Sequence, residues 1–170
     1  MEAAAGLLGR KRDAIVVFGI EPSFPSTEFG YIKLGPGARK AKGSGAAAKV
    51  ERFVEKPDAA RAAAYVKSGD YLWNSGTFIF RAATILKAFR SFAPAIYRGL
   101  KAGRRVTAGS YARLPDISLD YAVMEKAAPI YCIRGSYGWS DVGNFKALKA
   151  VLMAESRRFV ERDGRITKII

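Results

Sequence analysis

The sequence predicts an α/β fold with a largely parallel or mixed sheet. Three observations lead there. Short apolar runs of strand length alternate with helical patterns along most of the chain. The 170 residues are 49% hydrophobic, which suits one ordinary domain with a buried core. The single cysteine, Cys132, allows no intrachain disulfide, so the core must hold the fold, and a reducing, cytoplasmic setting is expected.

Residues 1–13 read as the tail of a helix. Their basic cluster follows the apolar residues and the apolar stretch is short, so no export signal is expected. No apolar run reaches the roughly 18 residues of a spanning helix, so no membrane partner is expected. Ala14 to Gly19 is an apolar run of a buried strand, and Phe29 to Leu34 a second strand. The proline-punctuated segment Glu21–Thr27 joins them as a loop. Gly35 to Gly45, rich in glycine and basic residues, reads as a hairpin tip. Val50 to Glu55 alternates with period two and is stopped by Pro57.

Asp58 then caps a helix over Ala59–Lys67, which Gly69 ends. Ser75–Arg81 reads as a strand. Ala82–Phe92 reads as a helix with Ile85, Leu86 and Phe89 facing inward, and Pro94 starts another to about Leu100. Lys101–Pro115 is a basic loop, and Ser118 caps the next helix. Pro129–Ile133 is a strand that buries Cys132. A helix from Val142 to about Met153 and a hairpin around Asp163-Gly164 complete the chain.

The absence of histidine excludes Ser–His and Cys–His nucleophiles, histidine general bases and the common zinc sets. The 29 basic and 15 acidic residues give a net charge of +14. That favours anionic partners without choosing among nucleic acid, acidic lipid and phosphorylated small molecules. A basic nucleic-acid-binding module is the weakest of these readings, because no RNA- or DNA-binding signature accompanies the charge.

Three clusters could carry chemistry. Glu55-Lys56-Pro57 sits at a strand end, where Lys56 could neutralise a phosphate and Glu55 could accept sugar hydroxyls. Two solvated charges before a turn would give the same pattern. Trp73-Asn74-Ser75-Gly76 offers an amide with donors and acceptors, and a glycine that permits close backbone approach; a plain turn into a strand would also fit. In Trp139-Ser140-Asp141-Val142-Gly143 the carboxylate of Asp141 is either a helix cap or a magnesium ligand. Together the clusters describe a phosphorylated-sugar site, whose chemistry needs positioning and charge neutralisation more than a protein nucleophile.

These segments, with Phe18–Pro25, Thr27–Ile32, Val50–Pro57 and Ile117–Lys126, occur in an order that resembles the sugar-1-phosphate nucleotidylyltransferases, most closely their mannose-1-phosphate guanylyltransferase branch. The resemblance implies a partial Rossmann-like nucleotidyltransferase domain. It implies that mannose-1-phosphate attacks the α-phosphorus of GTP, giving GDP-mannose and pyrophosphate. Gly30 and Tyr31 would wall the sugar, Glu55 and Asn74 would bind its hydroxyls, Lys56 its phosphate, and Asp141 would hold Mg2+. Lys56 and Asp141 would be the catalytic groups. Asp120 and Glu125 match a motif and would have a supporting role.

The family's Gly-rich segment that binds the nucleoside triphosphate, and its second metal-binding aspartate, would lie before Met1. The expected division is therefore a residual helix tail at 1–13, a sugar-phosphate-binding part at 14–153 and a hairpin at 154–170. On that basis the isolated chain is expected to be inactive or very weak. Alternatives are a non-catalytic sugar-phosphate-binding remnant, half of a split enzyme with a complementary nucleotide-binding partner, or another sugar-1-phosphate nucleotidylyltransferase.

Overall fold

The computed structural model describes residues 1–36, 46–101, 106–142, 145, 148–149, 151–152, 159–162 and 165–168. They fall into two compact units, Met1–Ser136 and Tyr137–Ile170. The hairpin tip expected near 35–45 and the turn at 163–164 lie largely outside the described residues. So does half of the helix expected over 142–153, although residues 145, 148, 149, 151 and 152 are helical.

The first unit opens with helix α1 (Glu2–Arg10), followed by strands β1 (Ile15–Ile20), β2 (Tyr31–Leu34) and β3 (Ala47–Val54). Helix α2 (Ala59–Ser68) leads into β4 (Tyr71–Phe80). Helices α3 (Ala82–Phe92), α4 (Pro94–Lys101) and the single turn α5 (Ala108–Tyr111) precede a π-helical turn over Asp120–Met124 and strand β5 (Ile130–Gly135). The strands close on themselves in the order β1-β4-β2-β3-β5. β1 runs parallel to β5, while the β1–β4, β4–β2, β2–β3 and β3–β5 pairs are antiparallel. The mixed sheet is as expected, but antiparallel pairing predominates. In the second unit β6 (Phe159–Arg162) and β7 (Arg165–Lys168) form an antiparallel hairpin.

β1 explains why its sequence is apolar throughout. Ile15 and Val17 enter one core with Ile32, Leu72, Ala88, Val123, Met124 and Cys132. Val16 and Phe18 point the other way and pack with Ala4, Leu7 and Leu8 of α1 and with Ile133. A strand covered on both faces has no polar side to alternate with. α1 packs onto this face of β1: Ala4, Leu7 and Leu8 recur at helical spacing and are buried.

Asp58 caps α2 by accepting from the Arg61 N–H at 2.8 Å, and Gly69 ends the helix in the left-handed conformation (φ 67°). On α3 the inward residues are Thr84 and Ala88, with Ile85 and Phe89 against them. Leu86 is 54% exposed, contrary to its expected inward face, because it lies a further 100° round the helix from Ile85. The expected Ser118-capped α-helix is instead a wide π turn. Glu125 N–H donates to Asp120 O, five residues back, at 3.0 Å, and Ser118 Oγ only loosely accepts from Tyr121 N–H at 3.4 Å.

Candidate functional site

β4 is shared between two partners. Tyr71 to Trp73 pair with β2, whereas Trp73 to Phe80 pair with β1. β2 begins at Tyr31 and β3 ends at Val54, opposite one another, and Tyr31 also faces Trp73. The next residues in line, Gly30, Glu55 and Asn74, therefore meet where the β2–β3 ladder stops. Asn74 N–H donates to Gly30 O at 2.7 Å and closes this corner.

Asn74 lies within β4, not in a turn before it, because β4 starts at Tyr71 rather than at the expected Ser75. A bulge follows it. Val17 pairs with Phe78 and Gly19 with Asn74, so Ser75, Gly76 and Thr77 face the single Phe18. Bulges of this kind re-aim side chains beside ligand sites. Gly76 takes a backbone conformation that favours glycine (φ 72°), and no protein atom among the described residues lies within 4 Å of where its side chain would begin. Asn74 Oδ1 accepts from the Gly76 N–H at 3.0 Å, and Nδ2 donates to Asp120 Oδ1 at 3.1 Å.

Gly30 is the residue over which the corner closes. A methyl group there would overlap Glu55 Oε2 and would stand 3.2 Å from Asn74 Cβ and 3.5 Å from Asn74 Nδ2. The Glu55 carboxylate and the Asn74 amide thus converge on the space that Gly30 leaves open. Phe24, Phe29 and Trp73 hold the preceding loop onto β4, with ring centroids 4.9 Å apart for Phe24–Trp73 and 5.0 Å for Phe29–Trp73. Tyr31, expected beside the sugar, has its side chain inside the fold. It is fully buried, its hydroxyl donates to Ser26 O at 2.9 Å, and its ring rests near Tyr65. Its side chain is packed behind the corner residues, tied to the Glu21–Thr27 loop and to α2.

Lys56 takes φ 45°, the left-handed region that residues with a side chain rarely enter. Strand alternation ends there, so Glu55 and Lys56 need not face opposite sides, as two successive strand residues would. The charge of Lys56 reaches Asp120 and helps to hold its carboxyl down. Burial is the largest influence on Asp120 and raises its pKa above the ordinary carboxylate value, with Glu125 adding to the rise. A backbone N–H and the Asn74 amide oppose it. Glu125 Oε1 in turn accepts from the Glu55 N–H at 3.1 Å. The π turn therefore touches both arms of the corner, a role for Asp120 and Glu125 that their motif named without specifying. No spacing rule marks it, because the contacts join residues far apart in sequence.

A cavity of about 470 Å³ lies among α3, α4, α5 and the π turn, lined by Phe89, Ile96, Leu114, Ile117 and Leu119 among others. It contains none of Gly30, Glu55, Lys56 and Asn74, and the one charged side chain in its lining, Asp116, is an acid that does not suit a phosphate. The converging polar groups mark the site better than the size of this hollow. Cys132 is buried in β5, where desolvation pushes its thiol up to about 12, so it carries no chemistry at neutral pH.

The model of the family described as nucleotidyl transferase matches residues 4–158. The chain belongs to the nucleotidyl transferase family. This nucleotidyl transferase chain is 44% identical over 144 residues to the xanthan biosynthesis protein XanB of Xanthomonas campestris pv. campestris, covering 79% of this chain and 29% of that protein. It is 41% identical over 147 residues to the mannose-1-phosphate guanylyltransferase ManC of Salmonella typhimurium, covering 79% and 30%. It thus spans about three tenths of the length of these curated relatives. A crystal structure described as mannose-1-phosphate geranyltransferase from Thermus thermophilus superposes with a TM-score of 0.73 at 42% identity, over 88% of this chain and 44% of that one. One of mannose-6-phosphate isomerase from Helicobacter pylori gives 0.69 at 30% identity, over 82% and 56%.

Nucleotidyl transferases generally use a divalent metal. Among the described residues no three His, Cys, Asp or Glu side chains gather as a cage. Asp141 is an exposed carboxylate in the second unit. Magnesium is commonly held by one or two carboxylates together with substrate phosphates, and an exposed carboxylate is an oxygen donor of that type. Among the described residues no helix is long and apolar enough to cross a membrane.

Proposed function

We propose that this chain carries the sugar-phosphate side of a guanylyl transfer from GTP to mannose-1-phosphate, giving GDP-mannose and pyrophosphate in the cytoplasm. The convergence of Glu55 and Asn74 over Gly30, with Lys56 beside them, is the observation that carries this reading. A pyranose presents hydroxyls that need both acceptors and donors, and Glu55 and Asn74 supply them. Lys56 supplies a positive charge for the attached phosphate. The names of relatives near 40% identity favour mannose-1-phosphate and GTP as the substrate pair.

In this reading Glu55 and Asn74 fix the sugar so that its phosphate oxygen lies in line with the α-phosphorus of GTP. Holding two reactants in line contributes much of the rate in such displacements. Lys56 reduces the repulsion between the two anions as they approach. Mg2+, when bound, neutralises phosphate charge, and Asp141 is the residue that would hold it.

Isothermal titration with mannose-1-phosphate tests the proposal. The wild-type chain is expected to bind it in preference to glucose-1-phosphate. Glu55→Ala and Lys56→Ala are each expected to weaken binding about tenfold or more, the usual effect of losing a hydrogen bond to a charged group. Equal binding by wild type and both variants, or no binding by wild type, would overturn the reading. Preference for glucose-1-phosphate would move it to another sugar branch.

A further inference from the structure

We propose that the π-helical turn is the positioning element of this sugar site, with Asp120 setting the orientation of the Asn74 amide and Glu125 setting the course of the chain from Glu55 into Lys56. The proposal rests on the functional reading above and adds two residues to it.

Each contact leaves little choice. The Gly76 N–H can only donate, so it requires the oxygen of the Asn74 amide. The Asp120 oxygen, as an acceptor, requires the Asn74 nitrogen on the opposite side. With both ends engaged the amide cannot flip. What remains for a ligand is one N–H and one lone pair, in fixed places. Free rotation would instead present either end to a hydroxyl and blur the choice between sugars that differ at one carbon.

Glu125 acts on the other arm. Its Oε1 accepts from the Glu55 N–H, one residue before the left-handed Lys56. A residue with a side chain leaves that conformation readily unless its surroundings hold it there. The Glu125 contact holds the strand end at the point where the chain turns. Both carboxylates belong to one motif, and the wide turn brings the Asp120 and Glu125 backbones into a single hydrogen bond (3.0 Å). One short element therefore fixes the hydroxyl reader and the phosphate-facing lysine together. A π turn in this place has a use that an ordinary helical turn would not supply.

The test compares Asp120→Ala, Asp120→Asn, Glu125→Ala and Glu125→Gln in the full chain, titrated with mannose-1-phosphate and with inorganic phosphate. Asp120→Ala is expected to weaken mannose-1-phosphate about tenfold and to leave inorganic phosphate unchanged, since only the hydroxyl reader is released. Glu125→Ala is expected to weaken both ligands, since it releases Lys56 as well. Asp120→Asn and Glu125→Gln retain an acceptor oxygen and are expected to recover most of the affinity. A general structural role would move both ligands together and would show no such rescue.

A ligand-free measurement keeps the two proposals separable. In isotope-labelled wild-type protein the Asn74 side-chain amide proton donated to Asp120 is expected to exchange slowly with solvent. In folded Asp120→Ala it is expected to exchange at least about tenfold faster, and in Asp120→Asn to stay slow. Unchanged amide exchange and unchanged mannose-1-phosphate affinity in folded Asp120→Ala and Glu125→Ala would overturn the positioning proposal. If wild type does not bind mannose-1-phosphate, the functional reading falls, and the Asn74 exchange alone then decides whether Asp120 fixes the amide.

Discussion

Gly19 and Gly30 are both sterically required, and replacing each by alanine should separate the core from the site. At Gly30 the added methyl would displace the Glu55 carboxylate, the end of a flexible side chain, while Asn74, buried and hydrogen-bonded at both ends, stays in place. The backbone of Gly30 is not in the left-handed region, so alanine brings no conformational strain. The expected cost to folding is below about 1 kcal/mol. Displacing Glu55 from the sugar removes a charge-assisted hydrogen bond of about 1.5–3 kcal/mol, or about 10- to 100-fold in affinity. At Gly19 the methyl would stand 2.6 Å from Cys132 Sγ and 2.9 Å from Leu72 Cβ, both inside the core. Overpacking of this kind costs about 1–3 kcal/mol. For a chain of this size that lowers Tm by roughly 2–10 °C. Thermal unfolding and titration with mannose-1-phosphate read the two effects separately. Gly30→Ala should lose affinity and keep its Tm; Gly19→Ala should lose Tm and keep the affinity of its folded fraction. A Gly30→Ala protein that melts as early as Gly19→Ala and binds normally would refute the steric argument.

Lys56→Gly should relieve the left-handed backbone and raise stability by about 1 kcal/mol, while weakening phosphate binding; a lower Tm in denaturation scans would contradict this. Asp120 has a raised pKa in the folded chain, so folding favours its neutral form. Its contribution to stability is therefore lost as pH rises from the ordinary carboxylate value through the raised one, and the penalty is complete above it. Asp120→Asn should flatten that dependence and be the more stable protein at neutral pH, as measured by urea unfolding across the acid range. Cys132, with a thiol near 12, has about one thiolate in ten thousand at pH 8. It should resist thiol reagents in the native protein and react at once in urea; rapid native labelling would place it at the surface.

Much of the fold is legible because its signals are local. The β1 run, the Asp58 and Gly69 caps of α2 and the inward face of α3 each follow from the neighbouring residues. The start of β4 is not, because Trp73-Asn74-Ser75-Gly76 has the composition of a turn. What holds Trp73 and Asn74 in a strand is pairing with β1 and β2, which no nearby residue encodes. The roles proposed for Glu55, Lys56 and Asn74 come from their side-chain chemistry, since a carboxylate, an ammonium and an amide suit a sugar phosphate. The burial of Tyr31 was not legible, because a motif names residues without saying which ones the fold covers. The contacts of Asp120 and Glu125 depend on partners 46 and 70 residues away, and only the folded chain brings them together.

Three local costs of this fold gather in one place. Lys56 holds an unfavourable backbone, Asp120 sits partly buried against its own ionisation, and a bulge interrupts β4 after Asn74. The hydrophobic clusters on either face of β1 require none of these. A chain under selection for stability alone would place glycine at 56, a neutral residue at 120 and a regular ladder along β4. Costs that the core does not need, concentrated around a single polar corner, are what binding requires of a scaffold. The same reasoning bears on the net charge. Lys56 is held in a costly conformation at the corner, whereas Arg61 pairs in the open with Asp58, only three residues away on the same helix turn, at 3.3 Å. An exposed pair of that kind contributes little to stability and is easily exchanged for solvent. The basic excess therefore divides by how tightly each cation is held, and among the described residues Lys56 is the one whose backbone bears the cost of its placement.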